Sequence, residues 1–204
     1  MSGMAVGFVG VGNMGSGMAA RLLEQGWQVS VCDIDGARVE ALRALGAHAA
    51  ATPAQLAAGS EVLVICVVDA VQTEQVLFGE AGAAPSLAKG QAVLLCPTIA
   101  PQDVERFAAR LAQGGIAAID APMSGGPARA RDGSMSLMVA CEDAVFARHL
   151  PLLRALSSKL FRIGARPGDG ARTKLVNNLL AGINLAGAAE ALAMAARMGL
   201  DLPV

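Results

Sequence analysis

Three stretches of this chain set polar or unhindered groups at intervals that imply a ligand site. In the first, Phe8-Val9-Gly10-Val11-Gly12-Asn13-Met14-Gly15, a G-x-G-x-x-G formed by Gly10, Gly12 and Gly15 directly follows an apolar run over residues 5–9. The first glycine permits a tight strand-to-helix turn, the second lets backbone approach a pyrophosphate, and the third lets the helix pack close to the strand. The N–H groups opening that helix, at Asn13 and Met14, would face the phosphates with the positive end of the helix dipole behind them. In the second stretch, Asp120-Ala121-Pro122-Met123-Ser124-Gly125-Gly126-Pro127, Ser124 offers a hydroxyl and Gly125 and Gly126 consecutive unhindered N–H groups. Such a run serves as a nest for a carboxylate or as a plain turn. In the third, Gly168-Asp169-Gly170-Ala171-Arg172-Thr173-Lys174-Leu175-Val176-Asn177-Asn178, Lys174 and Asn178 are four apart and share one helix face. Asp169 reads as the N-cap, which puts Arg172 and Lys174 in opening turns where a cation is unfavourable. The dipole there would depress a lysine towards the range of an acid–base group, and an ordinary solvent-exposed lysine is the plainer alternative.

These stretches need a scaffold, and the hydrophobic pattern supplies one. Residues 19–25 read as a helix ended by Gly26, and residues 28–32 as a strand finishing at Asp33, eighteen residues past Gly15. That is where a dinucleotide fold places the acid that bonds the adenosine ribose. A carboxylate there repels a 2′-phosphate and argues for NAD, while nearby Arg38 leaves NADP open. Helix, strand and helix follow over 36–45, 61–68 and 71–78, then a strand over 92–96. Pro101 opens a helix with Asp103 and Glu105 in its first turn, and Gly114-Gly115 closes it. Strands over 116–121, 134–140 and 159–163 and a helix over 143–156 complete an α/β, Rossmann-type, doubly wound and mostly parallel sheet. A final helical pattern runs from about residue 170 to 198, long for a globular helix and apolar on most faces. It reads as a buried helix, not a membrane span, because Asn177, Asn178, Asn184, Glu190 and Arg197 interrupt it. The expected division is a cofactor domain over 1–167 and, over 168–204, an interdomain helix starting an all-α domain.

Composition excludes some classes of function. Lys plus Arg number 16 against 17 acids, and aromatic residues make up 3%, so neither a basic stripe nor a stacking platform points to nucleic acid. No signal peptide or membrane partner is expected. Cys32, Cys66, Cys96 and Cys141 lack any ligand spacing, and three fall at expected strand ends, the pattern of buried free thiols in a reducing cytoplasm. His48, in an alanine-rich segment, and His149, in a charged helix, lack the partners of a catalytic base or metal ligand, so no metal is expected.

Taken together, the three stretches resemble the β-hydroxyacid dehydrogenase family, whose members include 3-hydroxyisobutyrate dehydrogenase and tartronate semialdehyde reductase and which is related to 6-phosphogluconate dehydrogenase. The resemblance covers the whole chain: G-x-G-x-M-G-x-x-M-A at residues 10–19, D-A-P-x-S-G-G at 120–126 and K-x-x-N-N at 174–178. Val11 and Arg21 depart from the family's usual Leu and Asn or Ser. The resemblance implies an NAD-dependent oxidoreductase acting on a small hydroxy acid. In it Lys174 is the catalytic residue, Asn178 its polar partner at the reacting oxygen, and Ser124, Gly125 and Gly126 hold the substrate carboxylate. Val67, Val68, Gln72 and Thr98 would line the cofactor beside Gly10, Gly12, Asn13, Met14, Gly15 and Asp33. It also implies a homodimer or tetramer formed through an all-helical second domain, which would begin where this chain ends. Residues 69–79, DAVQTEQVLFG, resemble the L-threonate dehydrogenase branch, whereas Asn177-Asn178 follows the general family. Against 6-phosphogluconate dehydrogenase itself stand Asp33 and the missing extra length, and against an imine reductase stands Lys174. A module that senses NAD without catalysis is the alternative of a different class.

Overall fold

The computed structural model of the chain describes residues 4–202. Strand β1 (Val6–Val9) turns into α1 (Asn13–Glu24), followed by β2 (Val29–Cys32), α2 (Gly36–Arg43), β3 (His48–Ala49), α3 (Pro53–Ala58), β4 (Val62–Ile65), α4 (Ala70–Phe78) and β5 (Ala92–Leu95). Then come α5 (Pro101–Gln113), β6 (Ala117–Asp120), β7 (Met123–Ser124), α6 (Gly126–Asp132), β8 (Ser136–Ala140), α7 (Asp143–Leu156), β9 (Lys159–Gly164) and α8 (Asp169–Arg197). The described residues form one sheet in the order β3-β2-β1-β4-β5-β6-β8, with β7 and β9 also on β8. Pairing is parallel from β3 to β6 and antiparallel where β8 meets β6 and β7. The expected doubly wound sheet is therefore present, with strand order reversing between β1 and β4, the point at which such sheets bind ligands.

The continuous apolar strands have a simple cause. In β4, Val62 and Val64 pack with Met18 and Leu22 of α1 and Leu153 of α7, while Leu63 and Ile65 pack with Leu56 of α3 and Phe107 of α5. A strand covered on both faces has no position to spare for a polar side chain. On α5, Val104, Phe107 and Leu111 supply the buried stripe, and Pro101 at its first turn sacrifices no helical N–H bond.

Two expectations are corrected. Asp169 is the first helical residue of α8, not its cap; Gly168 holds the cap position at φ 101° and offers no side chain. The burial expected for α8 also fails: only Gly170, Ala171 and Lys174 are buried, and Leu179, Leu180, Ile183 and Leu185 stand exposed because no described element packs on them. By length and composition α8 is the one helix among the described residues that could cross a membrane.

One core group gives a pH prediction. His149 on α7 is 1% exposed; its Nδ1 bonds the Val145 carbonyl at 2.8 Å, and its Nε2 has no partner. Burial, helped by Arg148, holds its imidazole below the usual histidine value. The folded state thus keeps His149 neutral while the unfolded chain takes up a proton near pH 6.5 or about there, so this contribution is lost as pH falls through that value. In urea titrations the stability of the parent relative to His149→Gln should fall between about pH 7 and pH 5.5. A pH-independent difference between the two would show that the imidazole carries no such linkage.

Candidate active site

The glycine loop joins β1 to α1 with Gly10 at φ 88°, a left-handed conformation that side chains rarely adopt. Its N–H donates to the Cys32 carbonyl at 3.0 Å, which hooks the loop to the end of β2. A Cβ on Gly15 would overlap the Gly10 carbonyl oxygen, so only glycine lets α1 start this close to the turn. Gly12 caps α1 without a side-chain acceptor, and the first-turn amides are left for a ligand or water. Asp33 braces this arrangement from β2: its Oδ2 accepts the Val11 N–H at 2.6 Å and its Oδ1 the Asp35 N–H at 2.9 Å. A carboxylate has lone pairs beyond these two bonds, so the brace can still accept from a hydroxyl. Asp35 in turn holds Arg38 Nε at 3.1 Å, and the guanidinium comes within 3.4 Å of where a Cβ on Gly12 would stand.

Beside the loop opens a cleft of about 440 Å³. Gly12, Asn13 and Met14 form one wall, Val67, Val68 and Thr98 another, Ser124, Gly125 and Gly126 a third, and Lys174 and Asn178 project from α8. Residues 162 positions apart in sequence thus share one cavity because β1, β4, β5 and β6 all end at the same edge. Gly125 and Gly126 both have positive φ, 141° and 77°, and no atom lies within 4 Å of a Cβ placed on Gly126. Three expected residues, Gly10, Gly15 and Asp33, lie behind the lining as its support. Gln72 stands at the edge of the cleft: its side chain accepts the Val68 N–H at 3.1 Å while Asp69 accepts the Gln72 N–H at 2.8 Å, a cap at the start of α4. Its side chain thereby steadies Val68, which lines the cavity. Cys66, Cys96, Pro97 and Met123 also line the cleft, from positions one to three residues past a strand end, where the sequence pattern of an open sheet places the chemistry.

Lys174 is 8% exposed and, among the described residues, makes no hydrogen bond or ion pair. Burial depresses its pKa below the usual lysine value. Arg172, two residues earlier, is neutralised by Glu105 at 2.5 Å and Asp169 at 3.1 Å. The two cations in the opening turns of α8 therefore differ in kind, and the unpaired one faces the cleft. Burial pushes the Cys66 thiol up to about 11 and Cys96 well above its ordinary value, so neither is a thiolate nucleophile at neutral pH. Among the described residues no three His, Cys, Asp or Glu side chains converge as for a metal.

The left-handed Gly10, the missing Cβ of Gly15 and the uncapped amides of α1 fit a dinucleotide pyrophosphate, which needs close backbone approach and a helix N-terminus. Comparison with known proteins agrees. Residues 5–164 match the family described as the NAD binding domain of 6-phosphogluconate dehydrogenase, and residues 168–204 match the NAD-binding domain of NADP-dependent 3-hydroxyisobutyrate dehydrogenase. The chain is 39% identical over 196 residues to an L-threonate dehydrogenase of Cupriavidus necator, covering 96% of this chain and 66% of that protein. To a 3-hydroxyisobutyrate dehydrogenase of Pseudomonas aeruginosa it is 37% identical, covering 96% and 65%. A crystal structure of 3-hydroxyisobutyrate dehydrogenase from Salmonella typhimurium superposes with a TM-score of 0.88 at 40% identity, over 97% of this chain and 69% of that one. The chain spans about two thirds of the length of these curated relatives. With the glycine loop, the cleft and both matched segments in agreement, the chain belongs to the 6-phosphogluconate dehydrogenase-type NAD-binding domain family, on its 3-hydroxyisobutyrate dehydrogenase side.

Proposed function

We propose that this chain is the cofactor-binding part of an NAD-dependent dehydrogenase that oxidises the hydroxyl-bearing carbon of a small hydroxy acid and reduces the corresponding oxo acid. The observation that carries this reading is Lys174, buried, without a charged partner and open to the cleft that the glycine loop and Ser124 share. Bound there, the nicotinamide supplies the hydride acceptor in oxidation and the donor in reduction. Lys174 takes the hydroxyl proton in oxidation and returns it in reduction, and its lowered pKa brings it nearer the range where an amine does both. Asn178, one turn on, orients the reacting oxygen. The Ser124 hydroxyl and the Gly125 and Gly126 amides hold the carboxylate, while Val67, Val68, Pro97 and Met123 exclude water. A screen of small hydroxy acids with NAD on the full-length protein tests the reading, L-threonate first because residues 69–79 and the Cupriavidus relative both favour it. Absence of turnover on every acid, with NAD bound, would leave a sensing module.

The cofactor preference follows from Asp33. Its fixed carboxylate accepts hydroxyls and repels a phosphate, so NAD should bind more tightly than NADP. In calorimetric titrations Asp33→Ala should weaken NAD by about tenfold, as expected for a lost charge-assisted bond, and narrow the gap to NADP. Equal affinities in the parent would contradict the assignment.

For organisation, residues 1–167 serve as the cofactor domain and 168–204 as the interdomain helix. The exposed apolar length of α8 would be covered by a helical domain of its own or a partner subunit, in a homodimer or tetramer, since a large apolar surface is rare on a monomer. The four free thiols suit a reducing cytoplasm.

A further inference from the structure

We propose that Asp120 is a positioning residue for the reaction: from the end of β6 its carboxylate caps α8 and fixes the helix that carries Lys174. The inference rests on reading Lys174 as the acid–base group. Two features of the structure carry it. The first is the cap itself. Gly168 has no side chain to bond the opening amides of α8, and Asp120, 1% exposed, does so from 48 residues earlier: its Oδ2 accepts the Gly168 N–H at 2.7 Å and the Ala171 N–H at 3.1 Å. Burying a carboxylate is costly unless bonds and a favourable field offset it, and a helix N-terminus supplies both. The second is Gly170, where a Cβ would stand 2.6 Å from the Met138 carbonyl oxygen and 3.0 Å from Asp120 Oδ2. Only glycine lets the helix seat on the carboxylate at this depth.

The consequence concerns distance within the site. Ala171 is three residues before Lys174 on one rigid helix, so the cap defines where the lysine stands. Asp120 also begins the short segment that leads through β7 to Ser124, Gly125 and Gly126. A single run of seven residues therefore holds the lysine helix at one end and the carboxylate loop at the other. Charged and titratable groups facing Asp120 are Asp169 on α8, Cys96 after β5 and Cys141 after β8. Nearby on α8, Arg172 is tied to Asp169 and to Glu105 of α5. Burial pushes the Asp120 carboxyl up to about 6 against the pull of the α8 amides, so the cap loses its charge as pH falls through that value.

The test uses the full-length protein in the direction of oxo-acid reduction, where the protonated form of Lys174 is the active one, so that its own protonation cannot cause an acid limb. The parent should show kcat falling below about pH 6. Asp120→Asn should lower kcat by about 10- to 100-fold, the effect of misplacing a catalytic group by about an ångström, and should remove the acid limb. Its NAD dissociation constant should stay within about twofold, since the pyrophosphate loop is untouched. A merely structural carboxylate would lower the melting temperature and leave kcat and the pH profile of the folded fraction unchanged, which would overturn the proposal. Should Asp120→Asn fail to fold, Gly170→Ala keeps the carboxylate but lifts the helix from it, and kcat should drop while the acid limb remains; parent-like kcat there would equally overturn it. Lys174→Ala measured alongside separates the two readings. Normal turnover in Lys174→Ala removes the catalytic lysine itself, whereas lost turnover there beside parent-like Asp120→Asn removes only the positioning role.

Discussion

Lys174→Ala in the full-length protein should turn over about 10²- to 10⁴-fold more slowly than the parent, the usual contribution of a positioned acid or base, with little change in NAD affinity. The expectation follows from where the side chain stands. Its helix seats against β6 and β8, the lysine is buried without a counter-ion, and it opens on the cleft beside Ser124, while the pyrophosphate loop belongs to β1 and α1. Removing the amine therefore takes away a proton carrier and leaves the cofactor's anchor intact. A lysine with only a packing role would give a lower melting temperature and near-normal kcat in the folded fraction, and that result would reject the assignment. Asn178, on the same face, would then be the next residue to replace.

Two glycines of the same loop should respond differently to one methyl group. In Gly15→Ala the added carbon overlaps the backbone oxygen of Gly10, which no side-chain rotation relieves, so α1 must retreat from the turn. Overpacking of this kind costs about 1–3 kcal/mol, and both the melting temperature and NAD affinity should fall, the latter by about 10- to 100-fold. Gly12 has φ −63°, and an added Cβ there would meet only the Arg38 guanidinium at 3.4 Å, an ordinary contact. Gly12→Ala should therefore melt close to the parent and still bind NAD poorly, because the methyl occupies the face that a phosphate approaches. Thermal melts beside calorimetric titrations check both. Tight NAD binding by a well-folded Gly12→Ala would mean that the ligand does not approach this face.

The parts of the fold that were legible in the sequence share a cause. Each of β1, β4 and β5 is an unbroken apolar run because both of its faces are covered, and α1 and α5 are closed by Gly26 and Gly114, so period and punctuation mark them. The elements β3 and α3, by contrast, lie in an alanine-rich stretch where apolar and polar positions barely differ, and α6 hides behind Gly126-Pro127. The site was legible where a motif compresses it, as in Gly10 to Gly15 or Lys174 and Asn178. It was not legible where function depends on a distant partner. Asp169 satisfies the local rule for a cap, yet the cap is Asp120, and nothing in the sequence around Asp169 records a carboxylate 49 residues away. The cap of α4 is the opposite case, because the spacing of Gln72 from Asp69 spells it locally.

Hydride should pass directly between a hydroxy acid and the nicotinamide in the cleft between the glycine loop and Lys174. The most direct test supplies the full-length protein with NAD and the hydroxy acid that turns over best in the screen, deuterated at its hydroxyl-bearing carbon, and locates the label in the reduced cofactor by NMR. Deuterium should appear at nicotinamide C4, on one face of the ring, with Lys174→Ala giving the same labelling at a much lower rate. Reduced cofactor carrying hydrogen from solvent, or no reduced cofactor with any acid, would contradict it.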